Sequence, residues 1–171
     1  MELNTLDVLI LLKIQVLEID SWTQTFVANE LCVAQSQVHA SLKRAEAARL
    51  ISSTSKRVFR QGLAEFLIHG VKYAFPPDRG GMTRGIVTGY AAPPLRDLIV
   101  QPDTPPPVWA HPEGPCKGYA FEPLDRRAPR AALKDPKLYE LLVLIDAIRD
   151  GRPGETNLAV GILKERLGQN L

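Results

Sequence analysis

The chain has 171 residues, of which 45% are hydrophobic and 23% charged, with a formal net charge of +2. That balance excludes a disordered or fibrous chain and fits one well-cored domain, or a domain of about 70 to 80 residues with an extension of similar size. The longest early apolar run, residues 8–12, falls far short of the roughly 20 residues that cross a bilayer, and Glu2 and Asp7 stand where a signal peptide needs positive charge. Cys32 and Cys116 have no paired spacing, so neither a disulfide framework nor a zinc module is expected. A cytoplasmic protein without a cofactor or metal is the expectation.

Divided along the chain, the charge becomes informative. Residues 1–35 carry one base, Lys13, against five acids, a net of −4. Residues 36–62 carry Lys43, Arg44, Arg49, Lys56, Arg57 and Arg60 against Glu46 alone, a net of +5. Positive charge gathered in one short stretch is what a phosphate-contacting surface requires.

Taken in order, Asn4 or Thr5 can cap a helix whose Leu6, Leu9, Ile10, Ile14 and Leu17 recur at three- and four-residue spacing. Val8, Leu11, Leu12 and Val16 make a second apolar face, which predicts burial on two sides, including against a second subunit. A second helix is expected from about Thr23 to Leu31, and a third from Ser36, as N-cap, to about Leu50. Residues 51–53 and 57–59 read as the strands of a short hairpin, and residues 61–73 as a fourth helix.

Of the 14 prolines, all but Pro153 lie between Pro76 and Pro136. From Phe75 to Arg130 there is no clear periodicity, although Ile86-Val87, residues 98–100, Val108-Trp109 and residues 119–121 are candidate short strands. Asp135 as N-cap and Pro136 at the first helical position then open a helix carrying Leu138, Leu141, Leu142, Ile145 and Ile148, closed by Gly151. A last helix runs from about Glu155 to Leu167. The expected architecture is mainly α with a small β-wing. Its parts are an N-terminal helical domain over 1–75, a proline-rich extended region over 76–134, and an αα-hairpin over 135–171 for dimerisation or partner binding.

The string that carries function is residues 26–51. Ala28, Leu31, Val33 and Val38 are placed as the contact residues of two helices crossing steeply at a tight turn. Gln35, Ser36, Gln37, His39, Lys43 and Arg44 remain for the outside of the second helix. Amides and bases there are the groups that read base edges and phosphates in a major groove. The string resembles the winged helix-turn-helix regulators of the MarR and ArsR type, whose pattern Gln35, Ser36, Val38, Leu42, Lys43, Glu46, Leu50 and Ile51 match over about residues 5–62. Cys32 and Arg49 stand where that pattern carries glycine. The resemblance implies a DNA-binding winged helix-turn-helix, with Lys56 and Arg57 as wing residues at the sugar-phosphate backbone.

His39, His69 and His111 share no ligand spacing with either cysteine, and no catalytic motif is present. The Arg79–Arg84 loop, with its glycines, has the make-up of an anion nest or an ordered turn. Trp109, His111, Tyr119 and Phe121 read as an effector pocket or a local core. The expected function is sequence-specific binding of double-stranded DNA by a homodimeric transcriptional regulator, a repressor and not an enzyme. The alternative is an antitoxin-like or adaptor protein whose C-terminal half holds a partner protein, with DNA binding for autoregulation.

Overall fold

A computed structural model describes residues 1–18 and 21–168. In chain order it contains α1 (Thr5–Leu17), α2 (Gln24–Leu31), α3 (Gln35–Ala47), α4 (Arg60–His69) and the short α5 (Val71–Ala74). Three strands follow, β1 (Arg79–Val87), β2 (Pro107–Ala110) and β3 (Cys116–Phe121), then α6 (Ala128–Lys134), α7 (Pro136–Asp150) and α8 (Pro153–Arg166). The chain is thus mixed α/β, dominated by helix. Among the described residues no helix is long and apolar enough to cross a membrane.

α1 starts where its capping chemistry dictates. The Asn4 side chain accepts from the Asp7 N–H, and the Asp7 carboxylate accepts from the Asn4 N–H, so two orphan donors are satisfied reciprocally. Both apolar faces of α1 are buried, with Leu6 and residues 8–12 and 14 all in the core. The cover comes from this chain itself, since α1 packs on α2, α3 and α7.

α7 is the central element. Asp135 caps it through the Lys137 and Leu138 N–H groups, Pro136 opens it, and Gly151 ends it. Every residue from Leu141 to Arg149 is buried, as expected of a helix that lies inside a core and not on its surface. It packs against α1, α4, α5, α6 and α8. The Leu138 to Ile148 stripe, which suggests a dimer or partner face, is therefore spent within the chain. α8 completes the expected hairpin. One hydrophobic cluster runs from Leu6 to Leu167.

Residues 76–134 depart from the extended form expected of them. β1 pairs antiparallel with both β2 and β3, and β2 lies parallel to β3, so three strands close on themselves. So small a barrel has no interior room. A Cβ on Gly85 would lie 1.9 Å from the Trp109 carbonyl oxygen, and one on Gly118 would lie 2.0 Å from the Pro106 carbonyl oxygen. Three of the four candidate strand segments lie in β1, β2 and β3. Residues 98–100 do not, because 3₁₀ turns at Gly89–Ala91 and Arg96–Leu98 fold that stretch back. The supposed extended region also holds a helix, α6, which lacks a periodic signal of its own; Pro129 sits in its first turn, where a missing N–H costs nothing.

The barrel meets α7 through a buried polar cluster. The Asp146 carboxylate accepts from Thr88 Oγ1 at 2.6 Å, Trp109 Nε1 at 2.8 Å and Arg149 Nη1 at 3.0 Å. Burial pushes the Asp146 carboxyl up from its usual range, opposed by the Arg149 charge and these donors. Arg149 also donates to the carbonyls of Phe75 and Glu122, so one side chain ties α7 to both ends of the β-segment. Tyr139 donates to the Val87 carbonyl at 2.6 Å, and burial pushes its phenol up to about 12.

Candidate nucleic-acid interface

Thr23 caps α2 by accepting from the Phe26 N–H, and Val27, Ala28 and Leu31 turn inward. The helix stops at Cys32, which adopts a left-handed conformation with φ of 55°, while the Val33 N–H closes back on the Ala28 carbonyl at 3.0 Å. A short turn then delivers α3. The residues anticipated at this crossing behave as expected, with Ala28, Leu31 and Val38 buried and Val33 partly so.

Ser36 is not the N-cap of α3. The N-cap is Ala34, two residues earlier, and it is the Gln37 side-chain oxygen that satisfies the Ala34 N–H at 3.0 Å. One amide assigned to DNA reading therefore also holds the helix start. Val38, Ser41, Leu42 and Ala45 form the inward stripe at three- and four-residue spacing. Gln35, Ser36, Gln37, His39 and Lys43 are exposed on the other side.

Arg44 is placed differently. Its guanidinium makes two 2.8 Å bonds to the carboxylate of Asp7, which is fully buried in α1, and those hydrogen bonds lift the Arg44 pKa above its usual value. A bidentate pair of this kind fixes angle as well as distance, so Arg44 bolts α3 to α1 and is not offered to a ligand. Lys13 does a similar job for the neighbouring helices: its buried ammonium bridges Glu30 of α2 and Asp135 at the start of α7, at 3.2 and 2.8 Å. Sequence spacing shows that Arg44 faces away from Val38, but it cannot show an acid 37 residues upstream.

After α3, Arg49 takes φ of 60°, and Leu50 and Ile51 return to the core. The hairpin expected over 51–59 is reduced to a single bridge between Ile51 and Val58, flanked by Ser52 N–H to Arg57 carbonyl and Phe59 N–H to Leu50 carbonyl bonds. Polar Ser53, Thr54 and Ser55 make a tight turn, closed by Lys56 at φ of 58°. Trp22, absent from the sequence-level site, holds this turn in place. It is 5% exposed, its indole N–H donates to the Lys56 carbonyl at 3.3 Å, and the Lys56 ammonium sits 5.7 Å from its ring centroid. Its only signal in the sequence is an isolated aromatic just before a helix cap.

Between α3 and this turn runs a cleft of about 140 Å³, whose lining includes Trp22, Gln24, His39, Lys43, Ser53 and Lys56. The structure thus gathers His39, Lys43 and Lys56 around one groove. Gln35, Ser36 and Gln37 stand apart at the start of α3, and Arg57 is exposed on the turn. Two ammonium groups, an imidazole and neutral donors on a surface held from behind can engage phosphates and hydrogen-bonding edges. No protein-family model matches the chain, and neither a curated protein nor a solved structure matches it.

Proposed function

We propose that the protein is a sequence-specific double-stranded DNA-binding transcriptional regulator, acting as a repressor, in which α3 enters the major groove and the 52–57 turn serves as the wing. The observation that carries this proposal is the exposed face of α3, on which Gln35, Gln37, His39 and Lys43 project while Arg44, locked to Asp7, sets the helix angle. Such a face combines the two requirements of groove recognition, donors for base edges and a rigid support. Cys32 and Arg49 add support: both occupy left-handed conformations at the two positions where MarR- and ArsR-type patterns carry glycine.

The apolar tail stripe that suggested partner binding or dimerisation is covered by the chain's own helices, so a twofold dimer on adjacent half-sites must use another surface. Selection of duplexes from a random pool tests the proposal. A consensus should emerge, and Lys43→Ala should weaken binding to it by about 1 to 3 kcal/mol with an unchanged circular dichroism spectrum. No consensus, or full affinity in the variant, removes α3 as the reading element.

A further inference from the structure

The barrel presents a second surface that the α3 face does not use. On β1 and β3 the register pairs Met82 with Tyr119 and Arg84 with Lys117. Since side chains two apart on a strand share a face, these four residues stand together on the outside of the barrel. All four are exposed, Met82 at 55% and Tyr119 at 47%. Elsewhere the outer side of the barrel is consumed by packing, with Ile86 and Trp109 buried and Trp109 set edge-on against Tyr139 of α7.

Two features of this patch call for a ligand. Arg84 and Lys117 are like charges directly opposite each other, an unfavourable arrangement in a sheet. Among the described residues no carboxylate pairs with either; Arg84 donates only to the Gly114 carbonyl. An anion between them would reverse the sign of that interaction. Beside them the strip leads past Tyr119 into a cavity of about 310 Å³, whose lining includes Tyr90, Pro105, Tyr119, Phe121, Asp150 and Glu155, the last also accepting from the Arg152 N–H. Arg79, opposite Phe121 in the same ladder, is stacked over its ring at 5.1 Å and bonded to Asp150.

The exposed ring of Tyr119, with Tyr90 and carboxylate acceptors in the same cavity lining, suits a heterocyclic base that carries amino or hydroxyl donors. The cation pair lies one same-face step away, about 7 Å along the strand, a span that a sugar can bridge. We propose that this face binds a nucleotide, with its base in the cavity against Tyr119 and its phosphate between Arg84 and Lys117. The same chemistry is presented by a free nucleotide and by a residue of a single-stranded nucleic acid.

The test is isothermal titration of the full chain with AMP, GMP, CMP and ATP, and separately with a twelve-residue mixed-sequence single-stranded oligonucleotide. Polyglutamate serves as the anionic comparison. Saturable binding of at least one nucleotide or of the oligonucleotide is expected, weakened at least tenfold by Lys117→Glu and by Tyr119→Ala, and retained in Tyr119→Phe. Where binding is sensitive to Lys117→Glu and Tyr119→Ala, mononucleotide binding identifies the free species as the ligand and binding of the oligonucleotide alone identifies a strand; either outcome upholds the site. The proposal is overturned if neither class binds at millimolar concentration. It is equally overturned if binding ignores both substitutions in variants with native circular dichroism spectra, or if polyglutamate binds as tightly and independently of Tyr119.

Discussion

Between residues 5 and 74 the chain holds its shape with side chains set at helical spacing, whereas between 79 and 121 it does so at points where side chains are missing. In the first region Leu9, Val27, Val38 and Leu63 each fill space between helices and are fully buried. In the second, Gly85 and Gly118 let three strands approach so closely that even a methyl group would collide with backbone. The helical region is stabilised by apolar burial and pinned by a few charged bolts. The barrel depends on backbone proximity, and its outer side chains are left free either to pack on α7 or to face solvent. A helix can therefore lose an exposed residue at little cost, while the barrel cannot accept an added carbon in its interior.

The largest expected effect tests the barrel side of that contrast. Gly118→Ala should destabilise the protein by about 3 kcal/mol or more, because the added carbon meets the Pro106 carbonyl and the Val108 side chain, neither of which can swing away. Gly161→Ala is the matched control on the exposed side of α8, with nothing within 4 Å of the new carbon. It should stabilise by about 0.5 to 1 kcal/mol through helix propensity. Urea denaturation of both variants measures the difference. Equal effects would mean that the close approaches at glycine are not what closes the barrel.

Next in size is the bolt behind α3. Arg44→Ala leaves the Asp7 carboxylate buried without its partner and should cost about 3 kcal/mol. Lys43→Ala, one residue away but exposed, should change stability by less than about 0.5 kcal/mol. Should the two variants unfold at the same denaturant concentration, Arg44 would return to the exposed set.

A smaller effect probes the seam between the two regions. Tyr139→Phe removes the bond to the Val87 carbonyl and should cost about 1 kcal/mol near neutral pH. The phenol is raised to about 12 in the folded chain, against about 10 when unfolded. Between those values the native state holds the proton more tightly than the unfolded state. Its contribution is thus complete below about pH 10 and lost as pH rises toward 12. The stability gap between the wild type and Tyr139→Phe should narrow over that window; a constant gap would show that Tyr139 titrates as an exposed tyrosine does.

The same contrast explains what can be read from the residues. Helices α1, α2, α3 and α7 are visible because periodicity and caps are local, as with Asn4 and Asp135. Where local signals compete, the boundary slips: Ser36 looks the better cap, yet Gln37 reaching back to Ala34 lets the helix start earlier. The barrel is unreadable because its information lies in which glycine meets which distant carbonyl, a relation with no period. For the candidate interface, exposure of Gln35, Gln37, His39 and Lys43 is legible from the α3 stripe, but the commitment of Arg44 to Asp7 and the support of the turn by Trp22 are not. Both are long-range interactions between residues that look ordinary in isolation.

Whether the basic stretch around α3 and the 52–57 turn is a DNA surface is tested most directly by the salt dependence of binding to a selected duplex. Each lysine or arginine that neutralises a phosphate releases condensed counterions. Affinity should therefore fall steeply with salt. Lys56→Ala with Arg57→Ala should lower the log-log slope by about one unit for each phosphate no longer neutralised, while weakening specific and nonspecific duplexes alike. Binding that is indifferent both to salt and to these substitutions would contradict the assignment of this face to DNA.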